Sequence, residues 1–169
     1  MTHLGVIPAF CQYCGGSSFS PCAADSAYTC ADCGRVTYLN SKPSACAVIV
    51  RDGMVLLVSD AATDPPSWDL PGGFLLYGEP PEEGLRREIK EELNADISVG
   101  EILAAKVDIY GSESCYTLNL FYRAELLSED IRAGAEIKAH GWFEVMRLPE
   151  LKYRSTSEIL TNQTLLERK

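Results

Sequence analysis

From Gly72 to Leu93 the chain reads GGFLLYGEPPEEGLRREIKEEL. No other stretch limits the fold as much, because it sets a turn, a helix and a charge problem together. Pro80 and Pro81 stand where a helix would begin, and proline is tolerated there because the first N–H groups have no helical partner. Leu85, Ile89 and Leu93 recur every four residues and predict one apolar stripe on a helix over 82–93. Asn94 follows and suits a left-handed C-cap. Glu88, Glu91 and Glu92 stand at i, i+3 and i+4, so at about 100° per residue they share one face, well off the apolar stripe. Like charges on one face repel. On a solvated helix, pairs such as Glu82–Arg86 and Glu83–Arg87 relieve part of this. Three converging carboxylates are also the ligand set of a hard divalent cation such as Mg²⁺. Arg87 can pair with Glu79 and brace the loop against the helix. Gly73 can lend a backbone carbonyl, because glycine lets the chain pass close to a ligand.

The rest of the chain supplies a sheet for this helix. Residues 45–50 and 54–58 are apolar runs around Asp52-Gly53, a strong hairpin signal. Residues 62–67 read as a polar loop, and Pro71-Gly72-Gly73 as a turn after Trp68-Asp69-Leu70. Two long strands are expected at 97–110 and 115–126, split by Gly111-Ser112, and one more at 141–145. Residues 148–151 are expected to open a short helix. Residues 155–168 are expected to form a terminal helix with Ser155 and Glu158 as a capping box. Strands and helices in this mixed order predict an α/β layered domain.

The first 42 residues differ in kind. They carry five of the chain's seven cysteines and no long apolar run, so a core alone cannot stabilise them. Cys11-Gln-Tyr-Cys14 and Cys30-Ala-Asp-Cys33 are two CxxC knuckles, each followed by glycine. That spacing predicts a closed, structural Zn²⁺ site of four thiolates. Cys22, between the knuckles, is a competing ligand. Lys42-Pro43 marks the expected boundary, with a zinc ribbon over 1–42 and the main domain over 43–169. Net charge is −9, which removes any general pull on nucleic acid, so no nucleic-acid partner is expected. No stretch reaches the length of a membrane span, and the start of the chain does not read as a signal peptide. No membrane partner and a cytoplasmic location follow as defaults.

Gly73, Glu79, Arg87, Glu88, Ile89, Glu91 and Glu92 match, at the right spacing, the Nudix box G-x5-E-x7-R-E-U-x-E-E-x-G-U, where U is aliphatic. Asn94 and Ala95 depart from its last two positions. WDLPGGF, Trp68 to Phe74, is similar to the family's entry to the box. Glu136, six residues before Trp142, is similar to a family glutamate that can complete the metal site. Residues 45–152 thus resemble a Nudix hydrolase, and the zinc ribbon ahead of them resembles the arrangement in NADH pyrophosphatases. The S-Q-P-W-P-F-P-like motif of that subgroup is absent.

The resemblance implies an α/β/α sandwich around a mixed β-sheet. It also implies Mg²⁺- or Mn²⁺-dependent hydrolysis of a nucleoside diphosphate linked to another moiety, such as a dinucleotide, ADP-ribose or a nucleotide sugar. Gly73, Glu88, Glu91, Glu92 and Glu136 are the metal candidates. Glu88, Glu91 and Arg87 are the catalytic candidates, with Glu88 or Glu91 as base, and Glu79 and Arg87 form the structural pair of the box. The partner is a small-molecule nucleotide, and monomer and homodimer both stay open. The competing class is a non-catalytic module, with a nucleotide-sensing Nudix domain and a ribbon that binds a partner. Glu92→Gln separates the two.

Overall fold

The computed structural model describes residues 9–22, 27–60, 66–111, 115–128, 130–162 and 166. The chain divides into two compact units, Met1–Lys42 with Ile109–Thr117, and Pro43–Asp108 with Leu118–Lys169.

In the first unit, β1 (Phe19–Cys22), β2 (Ala27–Cys30) and β3 (Val36–Tyr38) form an antiparallel sheet with β2 in the centre. Among the described residues its buried apolar side chains are few: Cys11, Ala27, Tyr28 and Cys30.

The second unit is layered. β4 (Lys42–Val48) is followed by β5 (Val50–Arg51) and β6 (Met54–Asp60), then β7 (Gly72–Phe74) and helix α1 (Pro81–Leu93). The long strands β8 (Ile97–Tyr110) and β9 (Cys115–Leu126), then β10 (Ile137–Glu144) and α2 (Arg154–Leu160), complete it. One sheet has the order β7-β4-β9-β8, the other β10-β6-β5. Side chains alternate across a strand, so each strand faces two ways. Ala45, Ala47, Leu56, Val58, Tyr122 and Ala124 pack with Leu85, Ile89 and Leu93 of α1. Their alternates Val48, Val55, Leu57 and Phe121 pack with Ile159 and Leu160 of α2. Strands thus lie between two helices, the expected sandwich. The three stripe residues of α1 are fully buried, which is worth about 1.5–3 kcal/mol for each side chain.

The expected helix and the two long strands are present. The Asp52-Gly53 turn is present too, with both residues at positive φ (52° and 76°), as a type I′ hairpin turn needs. Several expectations need correction. The apolar run 45–50 is not one strand. It breaks at Ile49, so that β4 joins the first sheet and only β5 pairs β6. Gly72-Gly73 is not a turn but the start of β7, with Cys46 opposite Gly72 and Ala45 opposite Gly73. Gly72 has a φ of 143°, and an added Cβ would lie 2.2 Å from the Ala45 carbonyl oxygen. Only glycine lets β7 lie there. The strand expected over 141–145 starts earlier, at Ile137. Residues 148–151 form no helix, because Glu150 O accepts from Trp68 N–H and Lys152 N–H donates to Trp68 O, at 3.1 and 2.8 Å. Helix α2 starts at Arg154 without the expected capping box. Its free Ser155 N–H is taken by the Asp108 carboxylate at 2.9 Å. Residues 61–65, 163–165 and 167–169 lie outside the described residues, and with them most of the expected 62–67 loop and the end of the expected terminal helix.

Candidate active site and cysteine cluster

The box loop and α1 are locked by one guanidinium. Arg87 grips Glu79 with two bonds, Nε to Oε1 at 2.8 Å and Nη2 to Oε2 at 3.0 Å. Its Nη1 donates to Glu88 at 2.8 Å and Glu91 at 3.0 Å, and Nη2 also reaches the Phe74 carbonyl at 3.0 Å. Arginine has five N–H donors, and all five are used on protein acceptors. Arg87 is therefore a brace that holds three acids and the loop in register. The hydrogen bonds from Arg87 hold Glu79 down near 2, helped by the Leu76 N–H, which shares Oε2 with Nη2.

An added Cβ on Gly73 would stand 2.4 Å from the Glu88 carboxyl, so Gly73 and Glu88 are in contact. Glu92 accepts the Gly72 N–H at 2.9 Å. Burial pushes Glu92 up to about 8, opposed by that hydrogen bond, and the charges of Glu88, Asp69 and Glu136 push the same way. Glu88 is raised as well, by burial first, against Arg87 and with Glu91 and Glu136 adding to the rise. Glu91 is the open member, with its side chain 60% exposed. The structure thus brings Gly73 against Glu88, ties Glu88 and Glu91 to one nitrogen of Arg87, and holds Glu92 on the Gly72 N–H, with Glu79 and Arg87 as the brace. Hard oxygen donors of this kind, one of them raised chiefly by its burial, fit a divalent cation, whose charge would favour their ionised form.

Three residues of this region escaped the sequence reading. Gly84 sits inside α1, where an added Cβ would be 2.5 Å from Leu75 and 2.8 Å from Glu79. A glycine in a helix costs about 1 kcal/mol against alanine, and that misfit was the available signal. Asp69 is half-buried and raised to about 6 by loss of solvent around its carboxyl, while Thr156 Oγ1 and the Leu70 N–H donate to it. It ties α2 to the box entry, and nothing in the WDL triplet marks it. Gly134 lies against the end of α1, with its N–H on the Glu92 carbonyl at 2.7 Å.

In the first unit the ligand atoms of Cys11, Cys14, Cys30 and Cys33 all lie within 4.8 Å of one another. Two of the Sγ–Sγ distances are 3.8 Å (Cys11–Cys33) and 3.6 Å (Cys14–Cys30). Four sulfurs around a tetrahedral ion at ~2.3 Å are about 3.8 Å apart, so the donor set fits Zn²⁺. The knuckles share one backbone pattern. Gly15 and Gly34 N–H donate to the Cys11 and Cys30 carbonyls at 2.8 and 2.9 Å, while Cys11 and Cys30 N–H donate to Gly16 and Arg35. Both glycines have φ near 70–76°, which explains why glycine follows each knuckle. Cys22 is not part of the cluster. No helix among the described residues is long and apolar enough to cross a membrane.

Comparison with known proteins fits this geometry. The chain is 27% identical over 158 residues to the NAD-capped RNA hydrolase NudC of Stutzerimonas stutzeri, covering 92% of this chain and 56% of that protein. It spans about half the length of the NudC relatives it matches. It is 28% identical over 139 residues to the nucleoside triphosphatase NudI of an Escherichia coli strain, covering 75% of this chain and 96% of that one. Among solved structures, a NUDIX hydrolase from Nitrosomonas europaea is similar with a TM-score of 0.75 and 27% identity, over 94% of this chain and 91% of that one. Residues 40–163 match the NUDIX domain. The braced box on α1, the strands between two helices and this match together show that the chain belongs to the NUDIX family.

Proposed function

We propose that this chain uses Mg²⁺ or Mn²⁺ to hydrolyse a diphosphate bond in a nucleoside diphosphate joined to another moiety: a dinucleotide, ADP-ribose or a nucleotide sugar. One observation carries this. Glu92 takes the Gly72 N–H at 2.9 Å, and its partly buried carboxyl is raised to about 8 by that burial first and by neighbouring acids second, on a helix whose Arg87 is already committed to Glu79, Glu88 and Glu91. Gly73, Glu88, Glu91, Glu92 and Glu136 are the proposed ligands. A divalent ion held there would polarise a phosphoryl oxygen and ready a water for attack on phosphorus near neutral pH. Glu88 and Glu91 are the candidates to take the proton of that water. Arg87 fixes the position of both by shared bonds from one nitrogen. Substrate and protein are both anionic, so the bound cation also offsets the repulsion from a net charge of −9.

Residues 1–42 are proposed as a Zn²⁺ ribbon with a structural role and 43–169 as the hydrolase domain. A reducing compartment such as the cytoplasm suits the four cysteines of the ribbon, none of which is in a disulfide. The acidic balance argues against nucleic acid as a general partner. The name of the NudC relative nevertheless places a dinucleotide joined to RNA among the substrates to test, and that of the NudI relative a nucleoside triphosphate. Glu92→Gln tests the proposal. It keeps the shape and the Gly72 hydrogen bond but lacks the anionic ligand, so turnover should fall on the order of 100-fold or more. Unchanged turnover would remove Glu92 from the ligand set, and binding of nucleotide with no hydrolysis by the wild type would turn the reading to a nucleotide-sensing module.

A further inference from the structure

The loop ahead of β10 is bound to the end of α1. The last four carbonyls of a helix have no partner within it. Asn94 N–H takes the Lys90 carbonyl at 3.0 Å. The next partners come from far along the chain, with Gly134 N–H on Glu92 O at 2.7 Å and Arg132 N–H on Leu93 O at 2.8 Å. The approach is close. An added Cβ on Gly134 would stand 2.0 Å from the Glu91 carbonyl oxygen and 3.3 Å from that of Glu92. Ile131 packs on the α1-side core, and Ile137 is buried in it. Ile137 N–H returns to Gly134 O at 3.3 Å, so Glu136 sits in a turn anchored at both ends.

We propose that Gly134 is a positioning residue: its missing side chain docks the 131–137 segment on the last turn of α1 and so holds Glu136 at the end of the helix that carries Glu91 and Glu92. The inference rests on Glu136 serving as a metal ligand, as put forward under Proposed function. Glu136 follows Gly134 by two residues, with Gly134 N–H on the Glu92 carbonyl, and precedes Ile137, which is buried in the α1-side core. A residue with a Cβ at 134 would push the turn off the helix, free the Glu92 carbonyl and move Glu136 away from the acids.

The test is the Mn²⁺ affinity of the full chain, read by electron paramagnetic resonance, for wild type, Gly134→Ala, Glu136→Gln and the double variant. Gly134→Ala should weaken binding about tenfold or more, the usual effect of losing a group that orients a ligand. The double variant should bind no more weakly than Glu136→Gln, because the glycine acts through that carboxylate. Two losses that multiply would overturn the proposal. So would a Glu136→Gln protein with wild-type affinity beside a weakened Gly134→Ala. Glu92→Gln in the same series reports on the metal site itself, and wild-type affinity there would instead contradict the proposed function. Should thermal melting show Gly134→Ala unfolded, Arg132→Pro takes its place in the series, since it removes one capping N–H without a clash at Glu91.

Discussion

At the scale of single residues, charge and the missing Cβ account for most of the site. Glu79 is held near 2, below its ordinary value, chiefly by its two bonds to Arg87. A depressed carboxyl stabilises the fold above its unfolded value, and that contribution fades as pH falls toward the folded one. Stability tied to Glu79 should therefore be complete above about pH 4.5 and be lost toward pH 2. Thermal melts of wild type and Glu79→Gln should converge over that window, and a constant gap between them would contradict the assignment. Glu92 has the opposite sign. Raised to about 8, it favours the cation-free fold below about pH 4.5, and this is lost as pH rises through 8. Added Mg²⁺ should thus raise Tm more at pH 8.5 than at pH 6, and an equal or smaller rise at the higher pH would count against Glu92 as a ligand. The box glutamates were legible in the sequence because spacing on a helix fixes direction. Asp69 was not, because its partner Thr156 is distant in the chain and no local pattern joins them.

At the scale of elements, α1 was readable because its stripe, its prolines and Asn94 all give one answer. Asn94 takes φ 49° and ψ 29°, the left-handed cap. Asn94→Gly should be neutral or slightly stabilising, whereas Asn94→Val should cost roughly 1–2 kcal/mol in urea unfolding. Equal stability of the two variants would show that the cap conformation does not matter. What failed were the elements set by partners rather than by their own residues. The run 45–50 carries no mark at Ile49, yet two sheets compete for it and split it there. Residues 148–151 look like a helix start, but Trp68 takes the backbone groups of Glu150 and Lys152 into a bridge. Ser155 looks like a cap, but Asp108 from β8 already fills that role. Gly72-Gly73 suggests a turn only until the closeness of Ala45 is known.

At the scale of the whole molecule, two units are stabilised in different ways. The second has apolar layers on both faces of its strands. The first has a small core among its described residues and four cysteines brought together, a donor set through which a bound Zn²⁺ would stabilise it. The purified chain should contain one Zn²⁺ by elemental analysis, and Cys30→Ser should lose it along with the thermal stability of that unit. A metal-free wild type with the same melting profile would contradict a structural zinc. The central claim concerns the other unit, and substrate identity lies outside the box that defines it. The most direct measurement is hydrolysis with Mg²⁺ in heavy-oxygen water, followed by phosphorus NMR, over NADH, ADP-ribose, nucleotide sugars, nucleoside triphosphates and a dinucleotide-capped RNA. The account predicts that one dinucleotide or nucleotide-sugar class is cleaved at its diphosphate. The label should enter a product phosphate, and turnover should stop with a chelator or Glu92→Gln. Cleavage that persists in Glu92→Gln, or no cleavage of any of these by folded, metal-loaded protein, would contradict it.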